Sequence, residues 1–136
     1  MAISSEQKDQ LIQACLYAQR LAYVPYSQFR VGAAVLAQDG QIYTGCNIEN
    51  ASFGATICAE RVAIVKAIST GNRKILALAV VTDANEFARP CGICRQVIAE
   101  FAAEHFAILA LKPDGSYEEK SLTDVLPDAF TSASFG

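Results

Sequence analysis

FRVGAAVLAQDGQIYTGCN, residues 29–47, holds two short runs of strand-forming residues on either side of AQDG. Asp39 and Gly40 in that linker are a hairpin signal, because Asp-Gly readily supplies the positive φ angles that tight turns between strands require. The segment therefore predicts two antiparallel strands, at 29–36 and 41–47. In the first, Val31, Ala33 and Val35 face one way while Gly32, Ala34 and Leu36 face the other, since successive side chains alternate across a strand. Both sets are apolar or small, so this strand is expected to be covered on both faces. Helices must then flank the sheet on each side.

Working outward, Ser4 and Gln7 have capping-box spacing, and Leu11, Ala14, Cys15, Ala18, Leu21 and Ala22 recur with helical period. A first helix is predicted over 5–22. VPYSQF, residues 24–29, breaks it, because Val24 precedes a proline and is biased away from helical dihedrals. Downstream, NIENASFGAT is a loop of polar and small residues feeding a helix at 58–69, which stops at Gly71 and Asn72. A buried strand follows at 75–81, then the loop TDANEFARP, a helix at 91–105 and a strand at 106–111. Pro113, Asp114 and Gly115 turn the chain into a weak edge strand at 117–120, and Ser121 caps a short helix ending at Pro127. This order predicts right-handed crossovers onto one sheet. The expected fold is an α/β, three-layer α/β/α sandwich around a mixed sheet of about five strands. At 136 residues, a single domain spanning 1–136 is expected.

Hydrophobic residues make up 52% of the chain and charged residues only 18%, a balance that suits burial of surface in a homo-oligomer. The net charge of -3 and the lack of a basic run weigh against nucleic acid or an anionic membrane as partner. A small neutral ligand fits better. The apolar run at 75–81 is far too short to cross a bilayer, and the N-terminus does not read as a leader, so a cytoplasmic location is expected. Five cysteines without a disulfide framework direct attention to metal or redox chemistry.

Cys58 and the pair Cys91 and Cys94 stand at the starts of two successive helices joined through one central strand. The two helix N-termini can lie side by side, and their partial positive charge favours thiolates. Three cysteines leave one position open on tetrahedral zinc, whereas a structural site closes it. The single histidine, His105, lies roughly three turns from Cys94 at the far end of its helix. Cys15 and Cys46 remain candidates for a fourth ligand, although free cysteine most often packs in a core. A closed sphere through Cys46 would make the protein a zinc-stabilised module rather than an enzyme. Glu60, in the first turn of its helix, projects from a different face than Cys58 and is the candidate proton carrier beside a metal-activated water. Three thiolates exceed the charge of the ion, and Arg61 and Arg95 are candidates to hydrogen-bond the sulfurs.

Cys58-Ala59-Glu60 followed later by Pro90-Cys91-Gly92-Ile93-Cys94 is the zinc-deaminase pattern, with cysteine in place of the usual histidine as first ligand. From VPYSQFRVGAAV through GCNIENASFGATICAER and PCGICRQV to VLPDAF, nearly end to end, the chain resembles the small cytidine deaminases of nucleoside salvage. The resemblance implies zinc-dependent hydrolytic deamination of cytidine and 2′-deoxycytidine to uridine and 2′-deoxyuridine with release of ammonia. It implies one zinc per subunit on Cys58, Cys91 and Cys94, with Glu60 shuttling protons. It further implies that Phe29 packs against the pyrimidine, that Asn47 and Glu49 bond ribose hydroxyls, and that backbone amides near Ala59 read the base carbonyl. A homotetramer with shared active sites is implied too, with Ala51, Phe53 and Phe130 reaching a neighbour's site. Phe53 stands where the family commonly has tyrosine.

Asn47 and Glu49 are two apart at a strand end and share a face, so an amide and a carboxylate could meet a diol together. Their bland alternatives are a turn residue and a solvated surface charge, and those of Phe53 and Phe130 are core aromatics. Among relatives, a blasticidin-type deaminase would share the metal motif. Nucleotide and tRNA-adenosine enzymes usually carry His-Ala-Glu, and their polyanionic substrates call for a basic surface that this acidic chain lacks.

Overall fold

The computed structural model describes residues 3–135. Helix α1 (Ser5–Gln19) begins on the expected capping box, in which the Ser4 hydroxyl accepts from the Gln7 amide and the Gln7 side chain accepts from the Ser4 amide. These bonds satisfy donors that a helix start leaves free. The helix ends before Leu21 and Ala22, shorter than their period suggests. The Tyr23 amide is drawn to the Asn47 carbonyl at 3.0 Å and the Tyr23 carbonyl to the Glu49 amide at 2.9 Å, so sheet-like pairing wins over helical continuation.

Strands β1 (Val31–Ala37) and β2 (Ile42–Cys46) form the predicted antiparallel hairpin, with Ala34 opposite Thr44 and Gly40 at φ 82°. β1 starts at Val31 rather than at Phe29. The Asn47 side chain takes the Val31 amide and Asp83 takes the Arg30 amide, which diverts Phe29 and Arg30 from strand pairing. With β3 (Ile75–Thr82), β4 (Ala102–Leu111) and β5 (Tyr117–Ser121), the sheet runs in the order β2-β1-β3-β4-β5. Among these five strands only β3 and β4 are parallel. Alternation along the strands divides the core in two. Ala34, Leu36, Ala79 and Leu109 pack on Leu11 and Cys15 of α1. Ala33, Val35, Val80 and Ile108 pack on Ile64 of α2 (Ala59–Ser69) and Ile98 of α3 (Gly92–Phe101). The result is the three-layer α/β/α sandwich.

α3 stops at Phe101 instead of reaching His105, and β4 begins at once with Ala102. Ala102 pairs with Ile75, and the next partners are Ala107 and Ala77, so the intervening residues bulge out of register. His105 sits at φ 63° in that bulge. The apolar periodicity of 91–105 was compatible with helix, and parallel pairing to β3 overrides it. After β5, the Ser121 cap and a reciprocal bond from Asp124 start the short helix α4 (Leu122–Val125).

Gly45 sets how closely β2 and α2 approach. A Cβ there would stand 2.3 Å from the Ala59 carbonyl oxygen and 2.5 Å from the Ala63 amide nitrogen, distances that only backbone movement can relieve. Gly45→Ala is therefore expected to destabilise the fold by about 3 kcal/mol, the upper part of the usual cost of overpacking. Gly54→Ala, where nothing lies within 4 Å of the added carbon, is the matched control and should change stability by less than about 0.5 kcal/mol. Urea unfolding of the two variants beside the parent protein checks both values.

Candidate active site

Helices α2 and α3 each open on a cysteine in the N-cap position, Cys58 and Cys91, and Cys94 follows one turn into α3. The Cys91 sulfur accepts the Cys94 amide at 3.5 Å. The three Sγ atoms lie within 4.8 Å of one another, with Cys58 and Cys91 3.7 Å apart. Zinc–sulfur bonds of about 2.3 Å in a tetrahedron separate their sulfurs by about 3.8 Å. One zinc ion fits this trio. Neither alternative cysteine joins it among the described residues. Cys15 is buried on the sheet-facing side of α1, where its thiol donates to the Gly32 carbonyl at 3.3 Å and burial pushes its pKa up. Cys46 is half-buried on β2, its pKa also raised by burial. His105 is exposed on the β4 bulge, outside the cluster. Among the described residues, three sulfurs with no fourth Cys, His, Asp or Glu in that cluster is the ligand count of a catalytic zinc site rather than a structural one.

The charges around the sulfurs are arranged for thiolate. Hydrogen bonding from Cys94, with Arg61 and Cys91, holds the Cys58 thiol down at about 5. Cys94 is pushed up in return, because it shares its proton with Cys58 and is buried. Arg61 reaches Cys58 with Nη2 at 3.5 Å. Arg95 does not do the same. Its Nε donates to the Pro90 carbonyl and its Nη1 to the Val125 carbonyl, both at 2.8 Å. The planar guanidinium finds in two carbonyls better acceptors than sulfur, and Arg95 ties the loop before Cys91 to the end of α4.

Glu60 is only 4% exposed, and burial raises its carboxyl to about 7. A cleft of about 200 Å³ brings Glu60, Cys58, Cys91 and Ala59 together with Phe29 and Asn47. Thr56 and Arg89 also border it; both lie in loops without a motif of their own, so only the assembled fold displays them. A neighbouring groove of about 320 Å³ is lined by Tyr26, Ser27, Glu49, Phe53 and Thr56, with Thr56 shared between the two.

Asn47 and Glu49 hold the loop between α1 and β1 against the end of β2. Asn47 Oδ1 accepts the Val31 amide and Nδ2 donates to the Phe29 carbonyl, each at 2.9 Å. Glu49 accepts the amides of Tyr26 and Ser27 at 3.0 and 3.1 Å and the Ser27 hydroxyl besides. Those donors, the Ser27 hydroxyl foremost, hold its carboxyl below the usual range. Phe53 is 74% exposed and meets Tyr26 edge-on at 5.7 Å; Phe130 is 61% exposed and meets Phe135 at 5.4 Å. Neither is a core aromatic of its own chain. Ala51 and Phe130 border neither cavity.

Three convergent cysteines able to hold zinc beside a buried carboxyl, at paired helix starts in an α/β/α sandwich, are the arrangement of zinc-dependent deaminases. The family model of the cytidine and deoxycytidylate deaminase zinc-binding region matches residues 5–110. The chain is 50% identical over 123 residues to a cytidine deaminase of Sporosarcina psychrophila, covering 90% of each chain. It is 46% identical over 124 residues to a cytidine deaminase of Halalkalibacterium halodurans, covering 91% of this chain and 94% of that one. The crystal structure of cytidine deaminase from Burkholderia pseudomallei shares the fold with a TM-score of 0.85 at 40% identity, covering 94% of this chain and 100% of that chain. The protein belongs to the cytidine and deoxycytidylate deaminase family.

Proposed function

We propose that the protein hydrolyses the exocyclic amine of cytidine and 2′-deoxycytidine, giving uridine or 2′-deoxyuridine and ammonia. The observation that carries this reading is a cleft lined by the buried carboxyl of Glu60 and by Cys58 and Cys91, whose sulfurs converge with that of Cys94. When bound by Cys58, Cys91 and Cys94, zinc supplies a Lewis acid that lowers the pKa of a water from 15.7 towards about 7. With zinc held there, Glu60 would take a proton from the attacking water and deliver it to N3 of the cytosine as the water oxygen adds at C4. It then carries the second oxygen-bound proton to the amino group, the C4–N4 bond breaks, and ammonia leaves. A carboxyl held near 7 by burial is suited to take and give a proton in turn.

The other residues bind and orient. Phe29 offers a ring to one face of the pyrimidine. The Ala59 amide lies in the first turn of α2, where amides lack partners within the helix, and reads the base carbonyl. Asn47 and Glu49 meet the sugar, and Arg61 draws charge from the sulfur of Cys58. The chain is read as a single deaminase domain over 1–136, and among its described residues large apolar side chains remain in water, including Tyr17, Leu21, Tyr23, Phe53 and Phe130. That exposure supports a homotetramer, with Ala51, Phe53 and Phe130 facing a neighbour's cleft. Among the described residues no helix is long and apolar enough to cross a membrane. In this reading the substrates are free nucleosides, and the enzyme serves pyrimidine salvage in the cytoplasm.

Incubating zinc-loaded protein with cytidine, 2′-deoxycytidine and blasticidin S, while following ultraviolet absorbance and ammonia, tests the assignment. Turnover of both nucleosides is expected. Turnover of blasticidin S alone, or of nothing, would refute it.

A further inference from the structure

We infer that Ser27 is a positioning residue, whose hydroxyl couples the carboxylate that reads the sugar to the ring that packs on the base. The inference rests on the roles proposed above for Glu49 and Phe29. Ser27 Oγ donates to Glu49 Oε2 and accepts the Phe29 amide at 3.0 Å. A hydroxyl has one proton and two lone pairs, so it makes both bonds at once. The circuit closes on the other side of Phe29. Asn47 Nδ2 holds the Phe29 carbonyl at 2.9 Å, and Asn47 Oδ1 holds the Val31 amide at 2.9 Å. Both polar groups of the Phe29 backbone are thus fixed by side chains, one from its own loop and one from the residue that follows β2.

The segment between these bonds is held in a conformation it would not choose. Gln28 lies at φ 58°, a left-handed setting that residues with a Cβ rarely adopt unless their surroundings impose it. Ser27 bonds on one side of it and Phe29 on the other. Without the hydroxyl, the Phe29 amide and one Glu49 oxygen lose a partner together, and Gln28 is free to relax. Ser27 takes no part in either core cluster. Among the described residues its side chain bonds only to Glu49 and Phe29, so its removal should act on the site and leave the fold intact.

The test compares kcat and KM for cytidine and for 2′,3′-dideoxycytidine, which lacks the hydroxyls Glu49 would read, in the parent enzyme, Ser27→Ala, Ser27→Thr and Glu49→Gln. Ser27→Ala is expected to raise KM for cytidine roughly tenfold with kcat within about twofold. Its preference for cytidine over the dideoxynucleoside should fall towards that of Glu49→Gln. Zinc content and melting temperature should match the parent, and Ser27→Thr should restore most of the preference. An equal loss on both nucleosides, or no loss, would overturn the inference. If Glu49→Gln abolishes the preference while Ser27→Ala keeps it, the role of Ser27 alone fails. If Glu49→Gln keeps the preference, the sugar-reading role of Glu49 fails and this inference falls with it.

Discussion

Glu60→Gln is expected to lower kcat for cytidine by roughly 10³ to 10⁴-fold, near the upper range for losing a positioned proton carrier. The amide has the size and shape of the carboxyl and fits the same buried site, so neither packing nor metal binding should suffer. It cannot accept a proton from water, nor return one to N3 or to the leaving amine. Because both transfers pass through the same side chain, losing it removes base and acid together. Activity should collapse while zinc per chain, measured by mass spectrometry, stays at the parent value and the melting temperature does not fall. Full activity in this variant would contradict the proposed reaction, and so would loss of metal with loss of activity, since that assigns Glu60 to the coordination sphere.

Cys91→Ala should remove the metal instead. Cys91 is the exposed member of the trio and the N-cap of α3, so its truncation opens no core cavity. One of three protein ligands disappears, and zinc affinity should fall by more than about 100-fold, beyond the 10 to 100-fold that outer partners of a metal site usually carry. Deamination should disappear with the metal. Parent protein stripped by a chelator should regain activity on adding zinc, whereas Cys91→Ala should not. Cys91→Ala should unfold slightly below the stripped parent, because the thiol contributes little packing but its sulfur caps α3 at the Cys94 amide. Cys94→Ala offers the contrast. Cys94 is buried, so the same loss of metal should come with a cavity and a lower melting temperature.

The residues 29–47 carried most of the architecture. An Asp-Gly turn and a strand with two apolar faces were enough to require helices on each side, and α1 and α2 occupy those sides. The metal site was equally legible, because its ligands fall on helix starts and helix starts announce themselves in short spacing patterns. Less legible was whatever depends on a partner distant in sequence. The end of α3 is decided by Ala102 pairing with Ile75, which helical periodicity does not register. Spacing makes Arg95 a candidate partner of the sulfurs, and its preference for two carbonyls follows from where Val125 comes to lie. The bonds of Ser27 to Glu49 and Phe29 arise from a loop folding back on a strand end, and the stretch VPYSQF gives only the loop.

The Arg95 fastener changes what the last stretch of the chain is. Pro90 and Val125 are held by one guanidinium, so residues far apart along the backbone are adjacent in mechanics. The segment that ends α4 braces the loop leading to Cys91 as a keystone braces an arch. Alterations near Val125 would therefore reach the sulfurs without touching them, by loosening the loop that aims Cys91.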